Sequence, residues 1–424
     1  MERFTGLIGI ILIFVIAFLM SNNRKAINYK LVFSGLALQI ALALFILKVP
    51  IGKDMFAVLG TAVTKLLAFS SAGANFVFGA LVNQELLEKT FGLGNGFIFF
   101  FQLVPTIIFV AALVSIFYYL GIMQRVVKLF ALIFYKLIGA SGSEAVSNVA
   151  SAFVGQIEAQ IMIKPYLKGM TMSELLASMS GSLACIAGSV MAVYIALGVP
   201  AEYLIAASLM AAPGALVISK IVWPETEISE TKGTVSLEVK KTSANLVDAI
   251  AHGASDGLKI GLNVIAMLIG FVAIIALLDY VLGKIGLGLG NLGLSLAFIG
   301  IDINTLSLNQ ILGALFSVFA WAMGVPLKDV HTAGSLMGTK MVINEFVAYL
   351  DLVKLKASID PKTLIITSFA LCGFANFSSV AMLVGGVGEL APTRRTDLAK
   401  LGMKALVCGT LASYLSATIA GILI

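Results

Sequence analysis

The chain has 424 residues, of which 59% are hydrophobic and 12% are charged, and its mean hydropathy is +1.03. Because a soluble domain carries about 25% charged and about 45–50% apolar residues, this composition excludes a soluble globular protein and indicates a lipid bilayer as the solvent. The net charge of +6 comes from basic residues scattered between apolar segments, without a basic stripe or an aromatic platform, which argues against nucleic-acid binding.

Apolar segments long enough to cross a bilayer recur along the chain, each close to the 20 residues that a spanning helix needs. Eight spans are predicted, at 4–20, 31–47, 97–120, 175–199, 202–222, 260–281, 364–390 and from about 405 to the C-terminus. The first is interpreted as a retained span because no small-residue cleavage site follows it. The basic loop around Arg24 is predicted to be cytoplasmic, which places both termini outside.

Three segments between these spans are more polar. Charged residues interrupt 52–90, whose apolar stretches are too short to cross, so amphipathic helices at the membrane interface are predicted there. The segment 224–243 is the most charged in the chain and is predicted to be an exposed loop. The segment 244–259 is predicted to form an amphipathic helix before the sixth span.

Two regions combine polar and small residues at membrane depth. The stretch 141–166 is too polar to face lipid and too short for two full spans, so a re-entrant helical hairpin shielded by protein is predicted. A second irregular region runs from 305 to 351. The spans that follow these regions are interrupted by glycine and polar residues, near Ala187 and near Asn376.

Each hairpin carries a carboxylate, Glu158 in the first and Glu345 in the second. An acidic side chain at membrane depth costs about 2.5–3.5 kcal/mol on insertion scales, which makes it a candidate functional group. Ala187 follows Glu158 by 29 residues and Asn376 follows Glu345 by 31, so the chain contains two copies of one unit. Paired hairpins and broken helices are typical of a transporter whose substrate site lies at the bilayer midplane.

Simpler interpretations remain open at this point. Glu158 could be an interfacial carboxylate near Lys164 and Lys168, and Glu345 could be a structural partner of Lys340. The interruption near Asn376 could be a close helix crossing. An ion or proton channel using the same two carboxylates is the alternative function. An enzyme is not expected, since two distant histidines and three scattered cysteines form neither a catalytic set nor a metal-ligand or disulfide pattern.

Four motifs resemble those of the concentrative nucleoside transporter family, in order and over essentially the whole chain. They are GQIEA at 155–159, KPY at 164–166, NEFVAY at 344–349 and GFANFSS at 373–379. The resemblance implies an all-α fold of about eight spans, two re-entrant hairpins and interfacial helices, assembled as a homotrimer in the bacterial inner membrane. It also implies import of nucleosides with sodium or protons by an elevator-type movement, without another cofactor.

The resemblance implies a division of the chain into scaffold and transport parts. The expected divisions are 1–96 (N-terminal spans and interfacial helices), 97–140 (scaffold span and amphipathic linker), 141–222 (first hairpin and broken helix, transport), 223–304 (loop, amphipathic helix and scaffold span), 305–393 (second hairpin and broken helix, transport) and 394–424 (C-terminal span).

Carried over residue by residue, the resemblance assigns the base to Gln156 and Glu158, with Val190 and Phe374 as apolar walls. It assigns the ribose to three further residues, Glu345, Asn376 and Ser379. This division agrees with their chemistry, because one carboxylate can accept hydrogen bonds from both hydroxyls of a vicinal diol.

The coupling cation is expected at the first hairpin tip and the first broken helix, mainly on backbone carbonyls. The residues concerned are Ser151, Val154, Cys185 and Ile186. Ser151 stands where the family more often has Asn, and Cys185 where it has Ser, so hard oxygen ligands are fewer and the ion is open. Ile157 replaces the usual Thr and Gln160 the usual Pro, so base preference is open as well.

Overall fold

The computed structural model describes residues 2–92, 96, 98–232, 243–292, 295–296 and 301–424, and the regular elements within them are helical. The first residue of the predicted third span and positions 233–242 of the predicted charged loop lie outside the described residues. The all-α membrane fold expected from the sequence is confirmed.

Nineteen α-helices are described. They are α1 (Glu2–Leu19), α2 (Tyr29–Leu47), α3 (Pro50–Ala68), α4 (Ser70–Phe78), α5 (Gln84–Phe91), α6 (Phe99–Tyr119), α7 (Ile122–Ile138), α8 (Gly142–Ser151), α9 (Gln156–Met162), α10 (Met172–Ala184), α11 (Gly188–Ala196), α12 (Ala201–Val222), α13 (Leu246–Asn291), α14 (Leu308–Ala322), α15 (Val330–Val342), α16 (Glu345–Leu355), α17 (Pro361–Leu371), α18 (Phe377–Leu390) and α19 (Arg395–Leu423).

Both predicted hairpins and both broken helices are present. The first hairpin is the packed pair α8 and α9, and the second is the pair α15 and α16. The first broken helix is α10 followed by α11. A capping box fixes the start of α10, because the side chains of Thr171 and Glu174 each accept a hydrogen bond from the backbone N–H of the other residue. The second is α17 followed by α18, where Gly373 has a φ of 112°, a conformation that favours glycine.

The run Pro50–Phe91 is long and apolar enough to cross a membrane by length and composition, but it is divided into α3, α4 and α5, and the interfacial helices expected at 52–90 stay a prediction. One prediction about the spans is wrong in detail. The predicted boundary between an amphipathic helix at 244–259 and a span at 260–281 is absent, because α13 is one helix of 46 residues. Within the described ranges, seven helical runs have the length and hydropathy of a membrane span. The first predicted span is a shorter apolar helix, and the seventh predicted span consists of two shorter apolar helices.

The last helix forms the centre of the core. α19 packs against α10, α12, α17 and α18, and its Tyr414 is almost fully buried. In contrast, α13 packs mainly along α6 and leaves most of its surface exposed. Gly253, Gly257 and Gly261 lie at intervals of four residues on that contact, where an added Cβ would meet atoms of α6 at 2.7–3.0 Å. Small residues at this spacing let two membrane helices approach closely.

Candidate functional site

The two broken helices meet at their breaks. The backbone N–H of Phe374 in the second break donates to the carbonyl oxygen of Cys185 in the first, at 3.3 Å. The hydroxyl of Ser413 on α19 donates to the carbonyl oxygen of Cys372 at 2.9 Å and lies 3.5 Å from that of Ala184. The helix ends freed by the two interruptions are therefore held against each other inside the protein, as the repeated unit predicted.

Glu345 is the buried acid of this centre. It is the first residue of α16, where Asn344 caps the helix by accepting from the backbone of Val347 at 3.0 Å, and it is 6% exposed. One carboxylate oxygen accepts from the Tyr194 hydroxyl at 3.1 Å and the other from the side-chain amide of Asn376 at 2.8 Å. The helix N-terminus and the two donors stabilise a negative charge here.

Asn376 contacts that carboxylate directly, and Ser379 contacts Asn376. Asn376 caps the N-terminus of α18, and its side-chain oxygen accepts from the backbone N–H of Ser379 and from the hydroxyl of Ser378, both at 2.8 Å. This pairing assigns the amide orientation, so that its nitrogen faces Glu345. The structure thus connects the three residues to which the resemblance assigned the ribose.

The first hairpin presents a different pair of groups. Gln156 opens α9 and is 9% exposed, and its side-chain oxygen is buried without a hydrogen-bond partner among the described residues. Glu158, two residues later, is exposed, in contrast to the buried Glu345 of the second repeat. Its carboxylate folds back over Gly155, where an added Cβ would overlap it. Val190 and Phe374 are partly exposed, and so accessible to a ligand.

The simpler pairings considered for the two acids are not found. Among the described residues no ion pair joins Glu345 to Lys340, or Glu158 to a lysine. Lys340 is 1% exposed and instead donates to the carbonyl oxygens of Ala370 at 2.8 Å and Cys372 at 3.3 Å. Its charge therefore lies at the carbonyl end of α17, where a cation is favoured.

Most polar residues of the first hairpin have a structural role that sequence reasoning missed. A ladder of side chains pairs α8 with α10 at a constant separation of 31 residues. Its rungs are Ser143 with Glu174, Ser147 with Ser178, and Ser151 with Ser182. Gln160 of α9 joins the ladder by donating to Ser182 at 2.8 Å and accepting from Ser178 at 2.7 Å. The available signal was a hydrogen-bonding side chain at every fourth position, serine throughout in α8 and glutamate followed by two serines in α10.

The base of the hairpin is fixed by a buried ion pair. Lys220 of α12 lies 2.7 Å from the carboxylate of Glu144, and both side chains are at most 4% exposed. Glu174 accepts from the Ser229 hydroxyl and so ties α10 to the segment after α12. The hairpin is therefore anchored at this end, while its tip reaches the first break.

The four residues assigned to a coupling cation lie at that tip and break. The Ser151 hydroxyl donates to the Ser147 carbonyl at 2.7 Å, and the Cys185 thiol points to the Ser208 carbonyl at 3.6 Å. Both side chains are thus committed to the protein. Within the described residues, the carbonyl oxygens of Val154 and Ile186 accept no hydrogen bond. Uncommitted carbonyl oxygens are hard ligands suited to a small cation.

A second residue missed by the sequence joins the same tip and break. The Ser208 hydroxyl of α12 donates to the Ala152 carbonyl at 3.2 Å and accepts from the Ile186 N–H at 3.5 Å. A cavity of about 470 Å³ elsewhere, between α14, α15 and α16, shares no residue with this centre.

These features define a helical membrane transporter whose two repeats enclose a polar centre. The chain matches the family models described as Na+ dependent nucleoside transporter C-terminus over residues 203–421, Na+ dependent nucleoside transporter N-terminus over 8–81, and Nucleoside recognition over 100–201. It belongs to the concentrative nucleoside transporter family, a family of transporters rather than enzymes.

Three relatives illustrate the similarity. The nucleoside permease NupC of Helicobacter pylori is 40% identical, over 99% of this chain and 97% of its own. Sodium/nucleoside cotransporter 1 of Mus musculus is 36% identical, over 100% of this chain and 64% of its own. The structure of CNTnw in an inward-facing substrate-bound state is 42% identical, with a TM-score of 0.91 over 100% of this chain and 98% of that chain.

Proposed function

We propose that this protein is a secondary active transporter that imports nucleosides together with a cation. The observation that carries the proposal is the buried carboxylate of Glu345, which holds one donor on each oxygen and keeps acceptor capacity on both. Two adjacent hydroxyls, as on a ribose, are the complement of such a group. The named functions of the relatives, nucleoside permease and sodium/nucleoside cotransporter, support the same substrate.

The base belongs at the first hairpin. The unpaired side-chain oxygen of Gln156 is a buried acceptor that a donor on the base edge would satisfy, and the adjacent amide nitrogen can donate in return. Val190 and Phe374 supply the apolar walls and Glu158 a second acceptor. Because Ile157 has no hydroxyl to offer, the base contacts rest on Gln156 and Glu158.

We place the coupling cation at the first break, on the carbonyl oxygens of Val154, Cys185 and Ile186, with Ser151 adjacent. The second break has Lys340 at the equivalent level of its own hairpin, whereas the first has no lysine there. A mobile cation at the first break, sodium or a hydronium, would give the two repeats similar charge.

We further propose the movement and the assembly that the family resemblance implies. The divisions 141–222 and 305–393 form a transport unit that moves past the scaffold, and three protomers assemble through their scaffolds in the bacterial inner membrane. Both termini lie outside. The anchored base of the first hairpin, at Glu144 and Lys220, supports motion of that unit as one body.

Uptake in membrane vesicles tests the proposal. Radiolabelled uridine, adenosine and inosine are offered in sodium or choline buffer at two pH values, with unlabelled competitors. Saturable accumulation that collapses with the cation gradient is expected. Absence of gradient-dependent accumulation of every nucleoside would contradict the proposal, and ionic conductance without saturable uptake would favour a channel instead.

A further inference from the structure

Tyr194 is a buried group for which the proposed substrate contacts give no role. It lies on α11, six residues after the first break, and is 0% exposed. Its hydroxyl donates to one carboxylate oxygen of Glu345 at 3.1 Å, while Asn376 donates to the other at 2.8 Å. The acid of the second repeat is thus held on one side by a residue from its own repeat and on the other by a residue from the first.

The ring of Tyr194 has little freedom to place that hydroxyl elsewhere. It stacks on the ring of Tyr349 with centroids 4.4 Å apart and contacts the ring of Phe346 at 5.8 Å. The hydroxyl of Tyr349 is directed away and donates to the carbonyl oxygen of Ser368 at 2.7 Å. The two tyrosines share one stack, but only one of them contacts Glu345 through its hydroxyl.

Two donors on opposite oxygens restrict rotation of the carboxylate about its last bond. An ionised carboxylate offers about four acceptor positions, of which Tyr194 and Asn376 each take one. The positions left, one or more on each oxygen, can then accept from two neighbouring hydroxyls at once. If one donor is lost, the carboxylate is held through one oxygen only and turns more easily, and fixing it again costs part of the binding free energy.

We propose that Tyr194 is a positioning residue that sets the preference for ribose over sugars lacking its hydroxyls, by fixing the carboxylate of Glu345. The inference rests on the proposed function. Because Tyr194 is carried by the helix that begins at the first break, ribose recognition in the second repeat also depends on the placement of the first broken helix. A residue that touches no substrate thereby controls selectivity.

The test compares Tyr194→Phe with Tyr349→Phe, a matched control that removes a buried hydroxyl from the same ring stack. For each purified full-length protein the Kd of uridine and of 2′,3′-dideoxyuridine is measured in the same buffer. Tyr194→Phe should raise the Kd of uridine about tenfold or more, equivalent to about 1.4 kcal/mol. It should change the Kd of 2′,3′-dideoxyuridine little, so the Kd of this analogue divided by the Kd of uridine should fall. The control should keep the wild-type ratio.

A purely structural role for Tyr194 would weaken both ligands equally, and an unchanged ratio in Tyr194→Phe would overturn the inference. If that variant does not fold, Tyr194→p-aminophenylalanine takes its place, because it retains a donor at the same position. This variant should keep the wild-type ratio of the two Kd values, and a lower ratio would also overturn the inference. Failure of the wild-type protein to bind uridine would instead remove the proposed function, so the two failures are distinguishable.

Discussion

Replacing Glu345 with glutamine tests the centre of the proposed site most directly. Glutamine keeps the shape but offers one acceptor oxygen and one NH₂ donor, so the Tyr194 hydroxyl or the Asn376 amide then faces another donor. At least one ribose hydroxyl loses a hydrogen bond to a charged acceptor, worth about 1.5–3 kcal/mol net. Because Glu345 is 6% exposed, solvent does not compensate, and the Kd of uridine should rise about 10- to 150-fold.

Uptake of radiolabelled uridine, normalised to the amount of protein in the membrane, is the measurement. Glu345→Gln should abolish transport at low uridine concentration. Asp351→Asn is the matched control, since Asp351 lies on the same helix but pairs with Lys354 at 2.9 Å on the surface, and it should transport normally. Transport by Glu345→Gln at the wild-type rate would refute the ribose role of this residue.

Two further variants examine the second break and the first hairpin. Lys340→Met leaves the buried carbonyl oxygen of Ala370 without its donor and that of Cys372 with Ser413 alone, so uridine uptake should fall about tenfold or more. Lys356→Met removes a surface lysine that donates to a carbonyl oxygen and should have little effect on uptake. Uptake by Lys340→Met equal to that of Lys356→Met would contradict a role for Lys340 at the break. Gly155→Ala should displace the Glu158 carboxylate and raise the Kd of uridine several-fold. Gly270→Ala is the control, because an added Cβ meets no atom there, and it should leave the Kd unchanged. An unchanged Kd in Gly155→Ala would show that the folded-back carboxylate is dispensable.

The breaks and hairpins could be predicted because their cause is local. Glycine and polar residues near Ala187 and Asn376 interrupt an apolar run, and the structure ends and restarts helices there. The length of α13 could not be predicted, because a change from amphipathic to apolar sequence does not require a change of backbone. Hydropathy reports which solvent a segment prefers, and a continuous helix can pass from one environment to another.

The candidate site was predicted in part, and the unpredicted part concerns partners distant in sequence. The grouping of Glu345, Asn376 and Ser379 followed from motifs, but Tyr194 is 151 residues from Glu345 and reads in the sequence as an ordinary aromatic residue of an apolar helix. The exposure of Glu158 could not be decided from the sequence, since the matched spacing in both repeats suggested a buried acid while the nearby lysines allowed an interfacial one.

Composition and periodicity by themselves determined that this chain is a membrane protein. They also determined that it contains two copies of a unit made of a hairpin and a broken helix, and that each copy contains an acidic residue. The donors that hold Glu345 were decided when α11 met α16, and the binding of Lys340 to carbonyl oxygens rather than to Glu345 was decided when α15 packed against α17. The physical reason is that hydropathy and helix breaking sum over neighbouring residues, whereas a hydrogen bond depends on directions that only the assembled helices fix.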